Sequence, residues 1–111
     1  MTTTTTTFAS FSLGQIVATP AALDLLAEHG VSPQTILCRH LAGDWGNLCS
    51  DDVAANDAAL KNGSRLLSSY EIAQGVTLWI ITDAESDIDE AGNVLTPPQR
   101  LYTTILRPED Y

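Results

Sequence analysis

Basic residues are scarce in this chain, which has five lysines and arginines against 14 aspartates and glutamates in 111 residues. The resulting formal charge of -9 at pH 7 repels phosphate backbones and attracts basic surfaces. The shortage argues against direct binding of nucleic acid, which requires cations that neutralise phosphates. A protein partner with a basic surface is the better match to this charge.

Long apolar runs are also lacking. No stretch approaches the roughly 18 apolar residues that a membrane span requires, so we expect no membrane association. The N-terminus MTTTTTTF has no lysine, arginine or apolar run, so it does not resemble a secretory signal. We therefore expect a cytoplasmic protein, in which the two cysteines, Cys38 and Cys49, would be reduced thiols.

The remaining composition is that of a folded domain. Apolar residues make up 44% of the chain and charged residues 17%, which is typical of globular proteins. A length of 111 residues predicts a single domain over residues 1–111. The threonine run within residues 1–7 is expected to be disordered or to extend an edge strand. Only 6% of residues are aromatic, so leucine, isoleucine, valine and alanine should dominate the core.

Three helices are predicted in the N-terminal half. Each begins at a hydroxyl residue that suits the N-cap position: Thr19 before Pro20, Ser32 before Pro33, and Ser50 before two aspartates. Glycines end them at positions 30, 43 and 63. The residues predicted to face inward are Leu23, Leu26, Ala27, Ile36, Leu37, Leu41, Val53, Ala54, Ala58 and Leu60.

The C-terminal half changes to the two-residue period of strands. The pattern predicts strands at Arg65–Ile72, Val76–Thr82 and Gln99–Leu106, and a short strand or extended lead-in within Phe8–Val17. Asp83–Pro98 is predicted to be a long acidic loop, and Arg107–Tyr111 a polar tail. Helices followed by strands indicate an α+β fold, with about three short helices packed on a three- to four-stranded antiparallel β-meander.

The acidic residues are the first candidate for a functional surface. The loop carries Asp83, Glu85, Asp87, Asp89 and Glu90 within eight residues. Asp51 and Asp52 form a second patch, where they would also favour the start of a helix. We expect these seven carboxylates to contact a basic partner. Ordinary solvation of surface charge is the competing interpretation.

A catalytic alternative rests on a different set of residues. His40, Arg65, Tyr70 and Thr104, together with Asp44, are residue types that metal-independent ribonucleases use for proton transfer and for stabilising a phosphorane. The order of helices and strands is similar to that of barnase/RelE-like nucleases and toxins. The acidic charge opposes a polyanionic substrate, so this hypothesis ranks second.

Metal sites and other cofactors are not predicted. His29, Cys38, His40 and Cys49 lack the spacing of closed zinc sites, and we expect core cysteines and exposed histidines instead. Alternating acids from Asp83 to Asp89 resemble calcium ligands, but Ile88 occupies the position where an EF-hand loop needs glycine. No glycine-rich phosphate loop is present.

Four segments together carry a resemblance to a known group of proteins. They are RHLAGDWGNL (Arg39–Leu48), NDAALKNGSRLLSSY (Asn56–Tyr70), TLWIITDAE (Thr77–Glu85) and TTILRPEDY (Thr103–Tyr111). They resemble a group of small proteins of bacterial plasmids and other mobile elements, mostly without a known activity, some of them loosely labelled type I restriction-system subunits. This chain departs from the group in the long connection through Pro98.

The resemblance implies a role against host defence or in plasmid upkeep. Combined with the acidic charge, it predicts a non-enzymatic protein that inhibits a basic, nucleic-acid-handling defence complex, as an anti-CRISPR or anti-restriction DNA mimic would. The chain is too short for a doubly wound cofactor-binding domain, so the resemblance does not imply a methyltransferase. The oligomeric state does not follow from these patterns.

Overall fold

The computed structural model describes residues 11–111, so predictions for residues 1–10 lie outside the described part of the chain. The described chain is an α+β fold with helices before most strands, as predicted. A short 3₁₀ helix at Pro108–Asp110 follows the last strand. The helices are α1 (Pro20–Glu28), α2 (Pro33–Leu41) and α3 (Ser50–Asn62), and the strands are β1 (Gln15–Ala18), β2 (Leu66–Ala73), β3 (Val76–Thr82), β4 (Glu85–Ile88), β5 (Val94–Arg100) and β6 (Tyr102–Leu106).

The helix starts follow from local hydrogen bonds. The Thr19 hydroxyl accepts from the backbone N–H of Ala22, and the Ser32 hydroxyl accepts from that of Gln34. For α3 the prediction was one residue late, because Cys49 is the N-cap and makes no side-chain capping bond. Gly63 ends α3 at a φ of 79°, a left-handed conformation that favours glycine.

The predicted inward stripes are partly wrong. In α1, Leu26 is buried together with Ala22, whereas Leu23 and Ala27 are exposed. In α3, Ala54 and Ala58 are exposed, and the buried residues are Asn56 and Ala59. The reason lies in where α3 packs. It lies beside β2, where the side chain of Asn56 exchanges two hydrogen bonds with the backbone of Leu67.

The main sheet has four strands in the order β1-β6-β3-β2. β2, β3 and β6 pair antiparallel as a meander would, with Ile80 opposite Ser68 on one side and Ile105 on the other. β1, which precedes the helices, pairs parallel to β6. The sheet is therefore mixed, with its parallel pair formed by the extended lead-in.

The prediction of one long acidic loop is wrong. Residues 85–100 form the separate two-stranded hairpin β4–β5, in which Glu85 lies opposite Arg100 and Ile88 opposite Val94. The predicted strand Gln99–Leu106 is accordingly divided at Leu101 between β5 and β6. We call residues 85–100 the arm, and the helices with the four-stranded sheet the body.

Helices α1 and α2 cover one face of the sheet. Leu26, Ile36 and Leu37 pack there with Tyr70, Leu78, Ile80 and Ile105. A second cluster joins Trp45 of the α2–α3 loop to Ala59 and Leu66. Each large side chain buried in this way contributes about 1.5–3 kcal/mol to stability. No helix among residues 11–111 is long and apolar enough to cross a membrane.

The C-terminal residues are fastened to the start of α1. Arg107 forms an ion pair with Asp110 at 2.7 Å, and the Thr19 hydroxyl donates to the same carboxylate at 2.9 Å. These contacts strongly lower the pKa of Asp110, chiefly through the hydrogen bond from Arg107. The segment predicted as a polar tail is thus part of the body.

Candidate functional site

The arm is exposed along almost its whole length. Within it, Glu85, Asp87 and Glu90 are exposed and Asp89 is half-buried, while Asp83 is half-buried at its base. The one cation of the arm, Arg100, is 4% exposed and directed into the body. The outer surface of the arm therefore carries carboxylates without a compensating cation of its own.

Asp89 has a structural role in the arm. Its carboxylate accepts hydrogen bonds from the backbone N–H groups of Ala91 and Asn93 and from the side-chain amide of Asn93. These bonds lower the pKa of Asp89, with Asn93 as the main cause. The Asp89 carboxylate thus stabilises the β4–β5 turn, a role that is separate from the predicted contact with a partner.

Two more of the predicted acids are engaged close to the body. The backbone N–H of Glu85 donates to the carbonyl of Gly63 at 2.8 Å, so β4 starts against the end of α3. A hydrogen bond with Glu90 is the main cause that raises the pKa of Tyr102. Asp87 makes neither contact with the body, and Glu85, whose contact is made by its backbone, is exposed as well.

An apolar pair that the sequence analysis missed lies beside these acids. Ile88 and Val94 face each other across the arm and are 51% and 77% exposed. Exposed apolar residues on adjacent strands form a small patch, and aromatic or aliphatic anchors of a partner pack on such patches. The sequence alone does not indicate this pair, because Ile88 and Val94 become neighbours only through the pairing of β4 with β5.

Asp51 and Asp52 lie on a different element, at the first turn of α3, and both are exposed. They interact favourably with the N-terminal end of the helix dipole, which explains their presence locally.

A second polar site lies inside the body around His40. The His40 ring is fully buried, with Nδ1 2.5 Å from the Ser68 hydroxyl and Nε2 2.8 Å from the Thr82 hydroxyl. Thr82 continues to Thr103 at 2.7 Å, and the Thr103 hydroxyl donates to the carbonyl of Leu13 at 2.7 Å. One chain of hydrogen bonds thus joins α2, β2, β3, β6 and the lead-in to β1.

The direction of this chain follows from its end. A carbonyl only accepts, so the single hydroxyl proton of Thr103 is used on Leu13, and Thr82 must donate to Thr103. Nε2 of His40 therefore donates to Thr82. Burial, with a smaller effect of the Arg100 charge, lowers the pKa of His40 to about 4. The ring is neutral at pH 7, and Nδ1 accepts from Ser68.

Aromatic rings close the site. The ring of Phe11 meets that of His40 edge-on at a centroid distance of 5.4 Å, and Trp45 meets His40 at 5.6 Å. The guanidinium carbon of Arg100 lies 5.9 Å from the centre of the Phe11 ring. Phe11 is half-buried, whereas both polar residues beneath it are buried. Phe11 thus covers a histidine and an arginine.

Arg100 connects the arm to the body. Its Nη1 donates to the carbonyls of Ser64 and Asp83 at 2.6 and 2.9 Å, and its Nη2 donates to that of Ala59 at 3.1 Å. No carboxylate in residues 11–111 lies within ion-pair distance of this guanidinium. Burial lowers the pKa of Arg100, and the charge of Glu85 acts in the opposite direction.

The residues of the nuclease hypothesis do not meet in one cleft. His40 is fully buried, and Tyr70 is 1% exposed with its hydroxyl donating to the backbone carbonyl of Asp44. Arg65 contacts Tyr111, whose ring packs on Trp79. Thr104 follows Thr103 in β6, so its side chain points to the opposite face of the sheet from the His40 chain.

The predicted metal-ligand types are also dispersed. Cys38 is exposed and His40 is buried, the reverse of the expectation of core cysteines and exposed histidines. Cys49 is exposed, and His29 lies 3.3 Å from Glu28. No group of three or more potential ligands comes together within the described residues.

A cavity of about 310 Å³ lies between the end of α1, the β2–β3 turn and the 3₁₀ helix. The one cation in its lining, Arg107, is already paired with Asp110.

Comparisons with protein-family models, with curated proteins and with solved structures found no match. The resemblance to mobile-element proteins therefore stays a prediction.

Proposed function

We propose that this protein is a non-enzymatic interaction protein of a mobile element that binds and inhibits a basic, nucleic-acid-handling host defence complex. The observation that carries the proposal is the uncompensated charge of the arm, which exposes Glu85, Asp87 and Glu90 while its one arginine is buried. Carboxylates on an exposed hairpin present negative charge where phosphates would otherwise bind.

The tip of the arm adds an apolar contact to this charge. Ile88 lies between Asp87 and Asp89 in the sequence and opposite Val94 in the hairpin, so a matching partner surface has an apolar depression with lysines or arginines around it. Apolar burial would supply affinity, and the charges would raise the association rate and exclude acidic competitors. The partner of this chemistry is a protein, and no direct contact with nucleic acid is required.

The experiment compares two variants that lose the same charge. The arm variant carries Glu85→Gln, Asp87→Asn and Glu90→Gln, and it leaves Asp89 in place because that residue builds the turn. The control variant carries Asp24→Asn, Glu28→Gln and Asp57→Asn, all exposed positions on α1 and α3. Each protein serves as bait in a native-host lysate, captured proteins are identified by mass spectrometry, and the partner is then purified.

We expect the wild type and the control variant to capture the same basic partner and to displace nucleic acid from it. The arm variant should associate about tenfold or more slowly, and the wild-type rate should fall steeply with salt. Equal thermal unfolding of the variants would establish that the fold is intact. An unchanged association rate for a folded arm variant would contradict the proposal.

A further inference from the structure

The two outer edges of the main sheet differ. β2 lies at one edge, where the side chain of Asn56 and the α2–α3 loop bond to its outward backbone groups. β1 lies at the other edge, and Gln15, Ile16 and Val17 are exposed there, Ile16 to 46% and Val17 to 37%. The sheet is thus covered at one edge and open to solvent at the other.

The parallel pairing with β6 fixes which backbone groups of β1 point outward. The N–H groups of Gln15 and Thr19 donate to carbonyls within residues 101–105 at 2.8 and 2.9 Å. Because alternate residues of a strand bond to the same neighbour, every second residue from Gln15 to Thr19 faces β6. The N–H and C=O groups of Ile16 and Ala18 therefore point away from β6, and β1 is the last strand in that direction.

The open edge carries no charge, unlike the rest of the molecule. The first charged side chain in the sequence is Asp24, which lies in α1. The carboxylate of Asp110 accepts from Thr19 at the end of β1, and its charge is paired with Arg107. A basic partner is attracted to the acidic arm, and the charge of -9 repels an acidic one. A neutral edge best matches another neutral edge.

The sequence of β1 also lacks the devices that keep edge strands apart. Natural sheets oppose pairing at their edges with charged residues, prolines or bulges. β1 has the sequence QIVA, and its register with β6 is regular. The edge is therefore chemically suited to accept a further strand.

We propose that β1 is a homodimer interface, in which the open edges of two copies pair antiparallel about a two-fold axis at Val17. Only outward-facing residues exchange hydrogen bonds, so Ile16 of each copy pairs with Ala18 of the other. This register places Val17 directly opposite its counterpart. The paired segment ends on both sides of β1, because Gly14 has a φ of 63° and Pro20 has no N–H.

The dimer closes at two copies, because an antiparallel pairing of this kind uses the same surface on both. The two four-stranded sheets become one continuous sheet, with the helices of both copies on the same face. A covered β2 edge then lies at each end. The dimer carries two acidic arms, and the interface includes no residue of either arm.

The affinity of the dimer should be modest. About four backbone hydrogen bonds join the copies, and small interfaces of this kind belong to weak complexes, so we expect a Kd of about 10–100 μM. Two copies of charge -9 repel each other, so salt should strengthen the dimer. Binding of a basic partner by the arm has the opposite salt dependence, and the two associations can therefore be distinguished.

The test is sedimentation equilibrium of the full chain from about 1 μM to about 0.5 mM, which brackets the expected Kd. Val17→Asp and Val17→Lys each place two like charges opposite each other at the axis and should weaken the dimer at least about tenfold. An equal mixture of these two variants places opposite charges there and should restore dimers. Val94→Asp, the same change at an exposed position of the arm, is the matched control and should dimerise as the wild type does.

Amide hydrogen exchange tests the direction of the pairing in the wild type. The N–H groups of Ile16 and Ala18 should exchange more slowly as the protein concentration rises. Those of Val17 and Thr19 already face β6 and should change little. This measurement decides the proposal even if the Val17 variants do not fold.

A wild type that stays monomeric at about 0.5 mM would overturn the proposal. Exchange at Ile16 and Ala18 that is independent of concentration would also overturn it. If the mixture of Val17 variants does not restore dimers, Val17 does not lie at the axis. Protection of the two amides only in a complex with a captured protein would assign the edge to that protein and exclude a second copy.

Discussion

The body and the arm use polar residues in opposite ways. In the body, polar side chains are buried and matched with one another, as in the chain from Ser68 through His40 to Thr103. In the arm, the charges are exposed, and the only arginine leaves the surface to bind the body. Substitutions in the body should therefore change stability, whereas most substitutions in the arm should change binding.

The largest effect is expected at the junction between the two regions. Arg100→Met would leave the carbonyls of Ala59, Ser64 and Asp83 without their donor, and a few buried unsatisfied carbonyls should cost about 3–5 kcal/mol. Urea unfolding measures this loss. Arg39→Met is the control, because the partly exposed Arg39–Asp44 pair should contribute only about 1 kcal/mol or less. Equal losses for the two variants would show that Arg100 does not hold the arm to the body.

The second effect is the pH dependence of the body. The pKa of His40 is about 4 in the folded state, against an ordinary value of 6.5. Between these values the unfolded chain binds more protons, so stability falls as the pH decreases from 6.5 to 4. The shift corresponds to about 3 kcal/mol.

Urea unfolding between pH 7 and pH 4 tests this effect, with His40→Gln as the comparison. The variant should be less stable at pH 7 and should lose less stability on acidification. The lowered pKa values of Asp44, Asp89 and Asp110 mean that these carboxylates stabilise the fold at neutral pH. This stabilisation is lost only as the pH falls to their ordinary pKa of 3.8 and below, so it does not contribute to the change between pH 6.5 and 4.5. A wild-type stability that is constant from pH 6.5 to 4.5 would contradict a buried neutral His40.

The smallest effect separates two acids of the arm. Asp89→Ala removes the acceptor of three hydrogen bonds in the turn, and loss of such a turn should cost about 1 kcal/mol. Asp87→Ala should change stability by less than about 0.5 kcal/mol, as exposed substitutions usually do. Thermal unfolding and amide exchange of β4 and β5 give the comparison. A loss at Asp87 equal to that at Asp89 would mean that the arm has no purely surface acid.

The helices and β3 could be predicted from sequence because their signals are local. Thr19 and Ser32 cap helices through bonds to residues two or three positions away, and Val76–Thr82 is rich in strand-forming residues. The arm could not, since aspartate, glutamate, glycine and proline disfavour strands. Its attachment to the body depends on hydrogen bonds from Arg100 and from the N–H of Glu85 to the carbonyls of Ser64 and Gly63, which are distant in sequence from the arm.

The polar site of the body had a partial signal in the sequence. His40 follows Ile36 and Leu37 on the buried side of α2, as its spacing of four and three residues allows. Ser68 lies two residues from Leu66 and Tyr70 on β2, and Thr82 lies two residues from Ile80 on β3. Both therefore occupy inward positions where apolar residues would be expected. Three polar residues at core positions indicate a common partner. Only the register of the strands shows that these residues form one continuous chain of hydrogen bonds.

The outer edge of β2 has a consequence for how the protein behaves at high concentration. The outward backbone groups of Leu67 are bonded to Asn56, and those of Ser69 to Trp45 and Asn47. Unpaired strand edges act as templates on which further chains add, and this leads to aggregation. Here one amide side chain and one loop occupy that template at Leu67 and Ser69, so addition of a further strand along this part of β2 is blocked while the molecule stays folded.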